Sequence, residues 1–163
     1  MRLLADLGAL RCIHPTLELN EQLWRQIRLV DRCLQRMATG IFPLSDRQSP
    51  SSNPPPWQMR LEVLIVSLEP PYRNKVATNL QLPTDSIERL NQLDRALSDL
   101  PNSLPKCQRV SERVRLLRQY DFPTLILIAT QSVPEVRRLI WRYFTEWSHI
   151  KAPLNGNDLK AMG

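Results

Sequence analysis

Proline divides this sequence. Fourteen of its 163 residues are proline and only four are glycine, and between the prolines apolar side chains recur every three or four residues. A proline lacks the amide that a helix interior or a central strand needs, yet it fits the first turn of a helix. Segments bounded in this way, with a 3.6-residue apolar period inside them, are expected to form short helices. No stretch shows the sustained alternation of a half-buried strand. The expected fold class is therefore all-α, a multi-helix bundle of antiparallel helices joined by short turns.

The first 40 residues read as one helical segment. Leu3, Leu4, Leu7 and Leu10 are spaced for a helix that breaks at Cys12-Ile-His-Pro15. His14 precedes a proline, which favours extended backbone, and with no second histidine nearby it reads as a turn residue. Asn20 is placed to cap a longer helix, Glu21 to Ala38, ended by Gly40. Leu23, Trp24, Ile27, Val30, Leu34 and Met37 form its apolar stripe. Arg25, Arg28, Asp31, Arg32, Gln35 and Arg36 mostly fall on the other face, which reads as solvated before it reads as set against phosphates. Residues 41–56 then hold five prolines and four serines, too little apolar surface to order themselves. They read as a linker or a long surface loop, separating two packing units, 1–40 and 57–163.

The second unit begins at Trp57. Trp57, Leu61, Leu64, Ile65 and Leu68 are expected to share one buried face, widened by Val63 and Val66. Pro71 starts the next helix, with Val76 and Leu80 inward. A helix to Leu100 follows, with Asp85 and Glu88 as a capping-box-like pair and Ile87, Leu90, Leu93 and Leu97 as its seam. Pro101 and Pro105 are expected to stop it. From Lys106 to Gln119, Val110, Val114 and Leu117 point inward. Asp121 caps a segment that is apolar all round at Leu125 to Ala129, hence central to the core. Ser132 is expected to cap the last long helix, whose Val136, Ile140, Tyr143, Phe144 and Trp147 face in.

Several chemistries lack their residues. Cys12, Cys33 and Cys107 are too few and too far apart for a zinc site or a disulfide framework, which fits reduced thiols in the cytoplasm. The apolar runs fall short of the ~20 residues that span a bilayer, so no membrane partner is expected. There is no Gly-rich phosphate loop, no paired Asp for two metals and no His-Glu-x-x-His. Asp94 and Asp99 lie on one helix without catalytic company.

The prominent constellation is basic. Between Lys106 and Glu146, eight cations stand against four acids and carry +4 of the chain's net +6. Seven of the eight are arginine (Arg109, Arg113, Arg115, Arg118, Arg137, Arg138 and Arg142), whose planar fork suits bidentate phosphate contact. Two helices one connection apart could present them as one strip. The alternative is a solvated face, because Glu112 with Arg115, Glu135 with Arg138 and Arg142 with Glu146 have the spacing of helix ion pairs. Trp141, Tyr143, Phe144 and Trp147 could stack bases or be core.

Other stretches resemble a known family. Trp57-Gln-Met-Arg-Leu61, Val76-Ala-Thr-Asn-Leu-Gln-Leu-Pro83 and Ile87 to Leu97 are similar to the helical body of bacterial class II tRNA nucleotidyltransferases. That family comprises the CCA-, CC- and A-adding enzymes and related poly(A) polymerases. Leu4-Ala-Asp-Leu-Gly-Ala-Leu10 with Ile13-His-Pro15 resembles its Leu-rich segment and turn. Pro153-Leu-Asn-Gly-Asn-Asp-Leu-Lys-Ala-Met-Gly163 resembles its tail motif, in which Gly-x-Asp-Leu and a later Gly recur.

The resemblance implies a division of labour. In that family an N-terminal head carries the nucleotide loop, the metal-binding carboxylates and the selection of CTP or ATP, and none of that pattern is in this chain. ATP, CTP and Mg are thus expected of a parent's head, with no cofactor and no catalysis in this portion alone. The body and tail grip the tRNA acceptor and elbow through backbone phosphates. The chain is expected to be a C-terminal body–tail portion, cut at Gly163, whose partners are tRNA or other RNA 3′ ends and the head. Its expected contacts are the seven arginines and Lys160. The competing reading is a non-enzymatic helical adaptor that binds protein through apolar surface.

Overall fold

The least polar run of the sequence forms the helix around which the others are arranged. A computed structural model describes residues 8–40 and 54–148, and these are helical, with no strand among them. In chain order the helices are α1 (Leu10–Ile13), α2 (Glu21–Ala38), α3 (Pro56–Val66), α4 (Pro70–Asn79), α5 (Thr84–Ser103), α6 (Val110–Leu117), α7 (Phe122–Gln131) and α8 (Pro134–Arg142). A short 3-10 turn, Leu104–Lys106, follows α5, and a wide turn, Tyr143–Trp147, extends α8. Every residue of α7 from Phe122 to Thr130 is buried, and the helix packs on α2, α3, α5 and α8. An element apolar on all sides has no face to give to water, so its neighbours must surround it.

Local chemistry sets several boundaries. Asn20 accepts the Leu23 amide at 2.8 Å and Asp121 accepts the Thr124 amide at 3.0 Å, each satisfying a donor that the first helical turn leaves unpaired. After α2, Gly40 takes φ +71°, a left-handed conformation that glycine adopts without strain. The α2 contacts with α3 and α7 reach across residues 41–53, so segments on both sides of that stretch contribute to one core.

Several expectations are corrected. Trp57 is 56 % exposed and Leu61 only half-buried, while Gln58, Met59 and Glu62 face inward with Val63 to Val66. The face of α3 is turned because it buries the polar pair Gln58 and Glu62 against α5. Leu80 and Val110 are exposed. Pro101 does not stop α5, which continues to Ser103. The helix yields one bond to the missing amide and resumes, with the Leu104 amide reaching Leu100 O. Ser132 does not cap α8. Pro134 occupies the first turn and the residue before it, Val133, takes the extended cap conformation, as pre-proline sterics favour. Asp85 lies inside the first turn of α5, after Pro83, where no capping box forms.

A polar cluster crosses this core. Glu62 is fully buried on α3. Its Oε1 accepts from Arg89 Nη1 at 2.6 Å and from the Ser86 hydroxyl, both on α5. Gln58 Nε2 donates to Ser86 Oγ at 2.6 Å, and Arg89 Nε approaches Asp121 Oδ2 at 3.4 Å. A buried charge is tolerated only when paired and hydrogen-bonded, and these contacts fix α3, α5 and the start of α7 to one another.

Candidate nucleic-acid interface

The last part of the fold gathers arginines around two aromatic side chains. Beyond Arg142 the helix widens, and Ser148 N–H donates to Tyr143 O at 2.8 Å. This five-residue bond spacing characterises a π-turn, a feature often found at functional sites. Tyr143, Phe144 and Trp147 all face inward from this turn, as positions i, i+1 and i+4 of a helical face do. α6 packs against it.

Three of the seven arginines meet there. Arg113, from α6, lies 5.9 Å from the Trp147 ring centroid, and Arg142 lies 5.2 Å from it. Arg113 is steadied by a 3.0 Å bond from its Nε to Cys107 O. Arg118 hydrogen-bonds the Tyr143 side chain. Burial pushes the Tyr143 phenol above its ordinary pKa, and the nearby Arg118 charge and hydrogen bond pull the other way. Arg109, Arg115 and Arg138 stand exposed without a carboxylate within 4 Å among the described residues. Of the three intrahelical pairs that the spacing allows, only Arg142–Glu146 forms, at 3.2 Å. Glu112 turns instead to the Arg109 amide at the start of α6.

Arg137 is elsewhere. Its Nε donates to Ala129 O and its Nη2 to Ser132 O, both at 3.0 Å, so it closes the carboxyl end of α7. Lys160 and the tail motif lie outside the described residues. Tyr143, Phe144 and Trp147 are core, and the Trp141 ring is covered by Arg36 at 4.5 Å. The arrangement thus offers guanidinium groups to an anion, without free aromatic faces on which bases could stack.

A second basic surface runs along α2. Arg25, Arg28, Arg32 and Arg36, at spacings of three and four, form one stripe. Arg25 pairs with Glu21 at 3.3 Å and Arg28 lies over Trp24 at 5.7 Å. Asp31, the acid within the stripe, is held by Arg60 at 2.7 Å. A groove of about 560 Å³ is lined by Arg25, Arg28, Asp31, Arg32 and Gln35. A neighbouring groove of about 600 Å³ shares Arg25 and Arg32 and is walled on its far side by Gln131, Ser132 and Arg137. The sequence signal for this surface is the arginine period on α2. Its far wall has no local signature, because Gln131 and Ser132 come from more than a hundred residues away.

Carboxylates and thiols do not assemble in the same way. Asp94 is bound by Arg73 and Asp99 by Arg95. Among the described residues no three His, Cys, Asp or Glu side chains converge as metal ligands. His14 Nδ1 lies 2.8 Å from Thr16 Oγ1 in the turn after α1, with its ring against Tyr72. No helix among these residues is long and apolar enough to cross a membrane. Comparison with known proteins gives no match to a family model, a curated protein or a solved structure.

Proposed function

We propose that this chain is an RNA-binding body of a tRNA nucleotidyltransferase, holding the acceptor and elbow of tRNA while a separate head adds CCA, CC or A. The observation that carries the proposal is the convergence of Arg113, Arg118 and Arg142 from two elements onto Tyr143 and Trp147. Arg115 and Arg138, exposed and without a carboxylate within 4 Å among the described residues, add positive charge on the same two helices. Arginine favours this use because it presents donors in a fixed fork and is held flat against aromatic rings. The family resemblance of the body segments supplies tRNA as the RNA. Since the neighbouring aromatic rings are buried, recognition rests on backbone charge and shape rather than on base identity.

The test is a filter-binding titration of tRNA against salt. Neutralising four phosphates gives a slope of log K against log salt of about −3. Salt-independent binding, or no binding, overturns the proposal. A second reading, a protein-binding adaptor, is favoured by the exposed side chains of Trp57, Tyr72 and Val133. A gel shift separates the two, because an adaptor leaves tRNA unshifted.

A further inference from the structure

The groove between α2 and the α7–α8 junction has a wall that is unusual for a solvated surface. It is lined by Arg25, Gln26, Arg32, Gln131, Ser132 and Arg137, with Glu21, Gln22, Leu29 and Thr130 completing it. Gln26 Nε2 donates to Thr130 O at 3.2 Å and to Gln131 Oε1 at 3.3 Å. That bond fixes the Gln131 amide, leaving its Nε2 as a buried donor without a partner. The Ser132 hydroxyl is likewise unpartnered, on a residue only 8 % exposed. Buried polar groups in native proteins almost always find a partner, and here two adjacent ones in a single wall have none.

Three of the four charged side chains around them are cationic. Arg137 is anchored by two backbone carbonyls, with Nη1 uncommitted to either. Arg32 makes one long bond, at 3.4 Å, to Arg28 O, and no carboxylate lies within 4 Å of it among the described residues. Glu21 is the one acid in the lining and is paired with Arg25. Two buried donors and three guanidinium groups therefore arrive from α2, the end of α7 and the start of α8. A ligand that satisfies all of them must be an acceptor on every side and negative. A planar carboxylate offers two oxygens, whereas a tetrahedral phosphate offers three or four.

We propose that this groove binds a phosphate oxyanion, with Arg25 and Arg32 as the outer clamp and Gln131, Ser132 and Arg137 as the inner wall. The site is separate from the Arg113–Arg118–Arg142 cluster and does not depend on the RNA-binding reading. Phosphate chemistry reaches such a groove either as a monoester or free phosphate, or as the diester of a nucleic-acid backbone.

The experiment is a titration of the full chain with inorganic phosphate at constant ionic strength, followed by phosphorus NMR line broadening, with chloride as the control. The wild type should show saturable broadening. Arg32→Gln should weaken binding by about tenfold, since it removes a charge-assisted partner, and Ser132→Ala by roughly threefold through loss of one donor. Ser132→Ala deletes an unpaired hydroxyl, so its melting temperature without phosphate should not fall. Absence of saturable broadening overturns the proposal. So does an unchanged affinity in Ser132→Ala, which would reduce the site to surface charge. Displacement of phosphate by AMP supports a monoester ligand, and displacement by duplex RNA supports the backbone diester. Arg142→Gln, outside the groove, should leave phosphate binding intact while weakening tRNA, so the two proposals fail separately.

Discussion

Arg89 and Glu62 form an ion pair sealed inside the protein, with Nη1 2.6 Å from Oε1 and neither side chain more than marginally exposed. Two charges removed from water repay their desolvation only when the geometry is good and the remaining polar atoms are satisfied. Ser86 and Gln58 supply part of that satisfaction. Glu62→Leu alone leaves Arg89 buried without its main counter-ion and should cost about 3–5 kcal/mol in urea unfolding. The double variant Glu62→Leu/Arg89→Met replaces both charges by apolar volume and should recover most of that loss. If the two single losses simply add in the double variant, the pair is not acting as a unit.

Asp121 serves two partners with two oxygens. Oδ1 caps α7 and Oδ2 approaches Arg89. Asp121→Ala should destabilise by about 1–2 kcal/mol, the range for losing a helix cap. Asp121→Asn keeps an acceptor for the Thr124 amide and should retain most of the stability. Equal losses in thermal melts of the two variants would mean that charge toward Arg89, rather than the cap, is what matters.

Cys33 lies in the buried face of α2, and burial pushes its thiol from the ordinary 9.0 up to about 11, against the opposing charges of Arg32 and Arg36. The folded state thus favours the neutral thiol. Its contribution to stability is complete below the unfolded pKa and is lost as pH rises from about 9 toward about 11. Cys33→Ala should flatten the fall in stability over that window, read from urea midpoints at each pH. In native thiol labelling, exposed Cys12 should react first and Cys33 only after unfolding.

Arg113 and Arg142 flank the same indole. Under the RNA-binding proposal, Arg113→Gln and Arg142→Gln should each lower the salt slope of tRNA binding by about 1. Trp147→Phe should bind tRNA nearly as well as the wild type, because the ring is buried and props the arginines rather than stacking on bases. A large loss of affinity in a folded Trp147→Phe variant would place the indole in the interface instead.

What could be read from the sequence was local. Asn20 and Asp121 were identifiable as caps because a cap needs only its own residue and the next three. The apolar run at Leu125 to Ala129 announced a central helix for the same reason. The orientation of α3 was not identifiable, because Glu62 is drawn inward by Ser86 and Arg89, more than twenty residues away, and Trp57 is turned out as a result. Arg142 found its acid and Arg115 and Arg138 did not, although all three have a carboxylate at helical spacing. Spacing permits such a pair, but rotamer and competing partners decide it. The groove wall of Gln131 and Ser132 was hidden for a further reason. It becomes a wall only when a helix from the far end of the chain is laid across it.

That last contact has a kinetic meaning. Gln26 and Thr130 are bonded across 104 residues, so α2 must close a long loop to reach α7. The entropy of closure grows only logarithmically with loop length, and at equilibrium the distance costs little. In time it costs more, because distant contacts form after near ones have been tried. Packing α2 on α3 also lays it against α7. The groove shared by Arg25, Arg32 and Arg137 exists only in the folded chain, so anything that binds there would favour the folded state over the unfolded one.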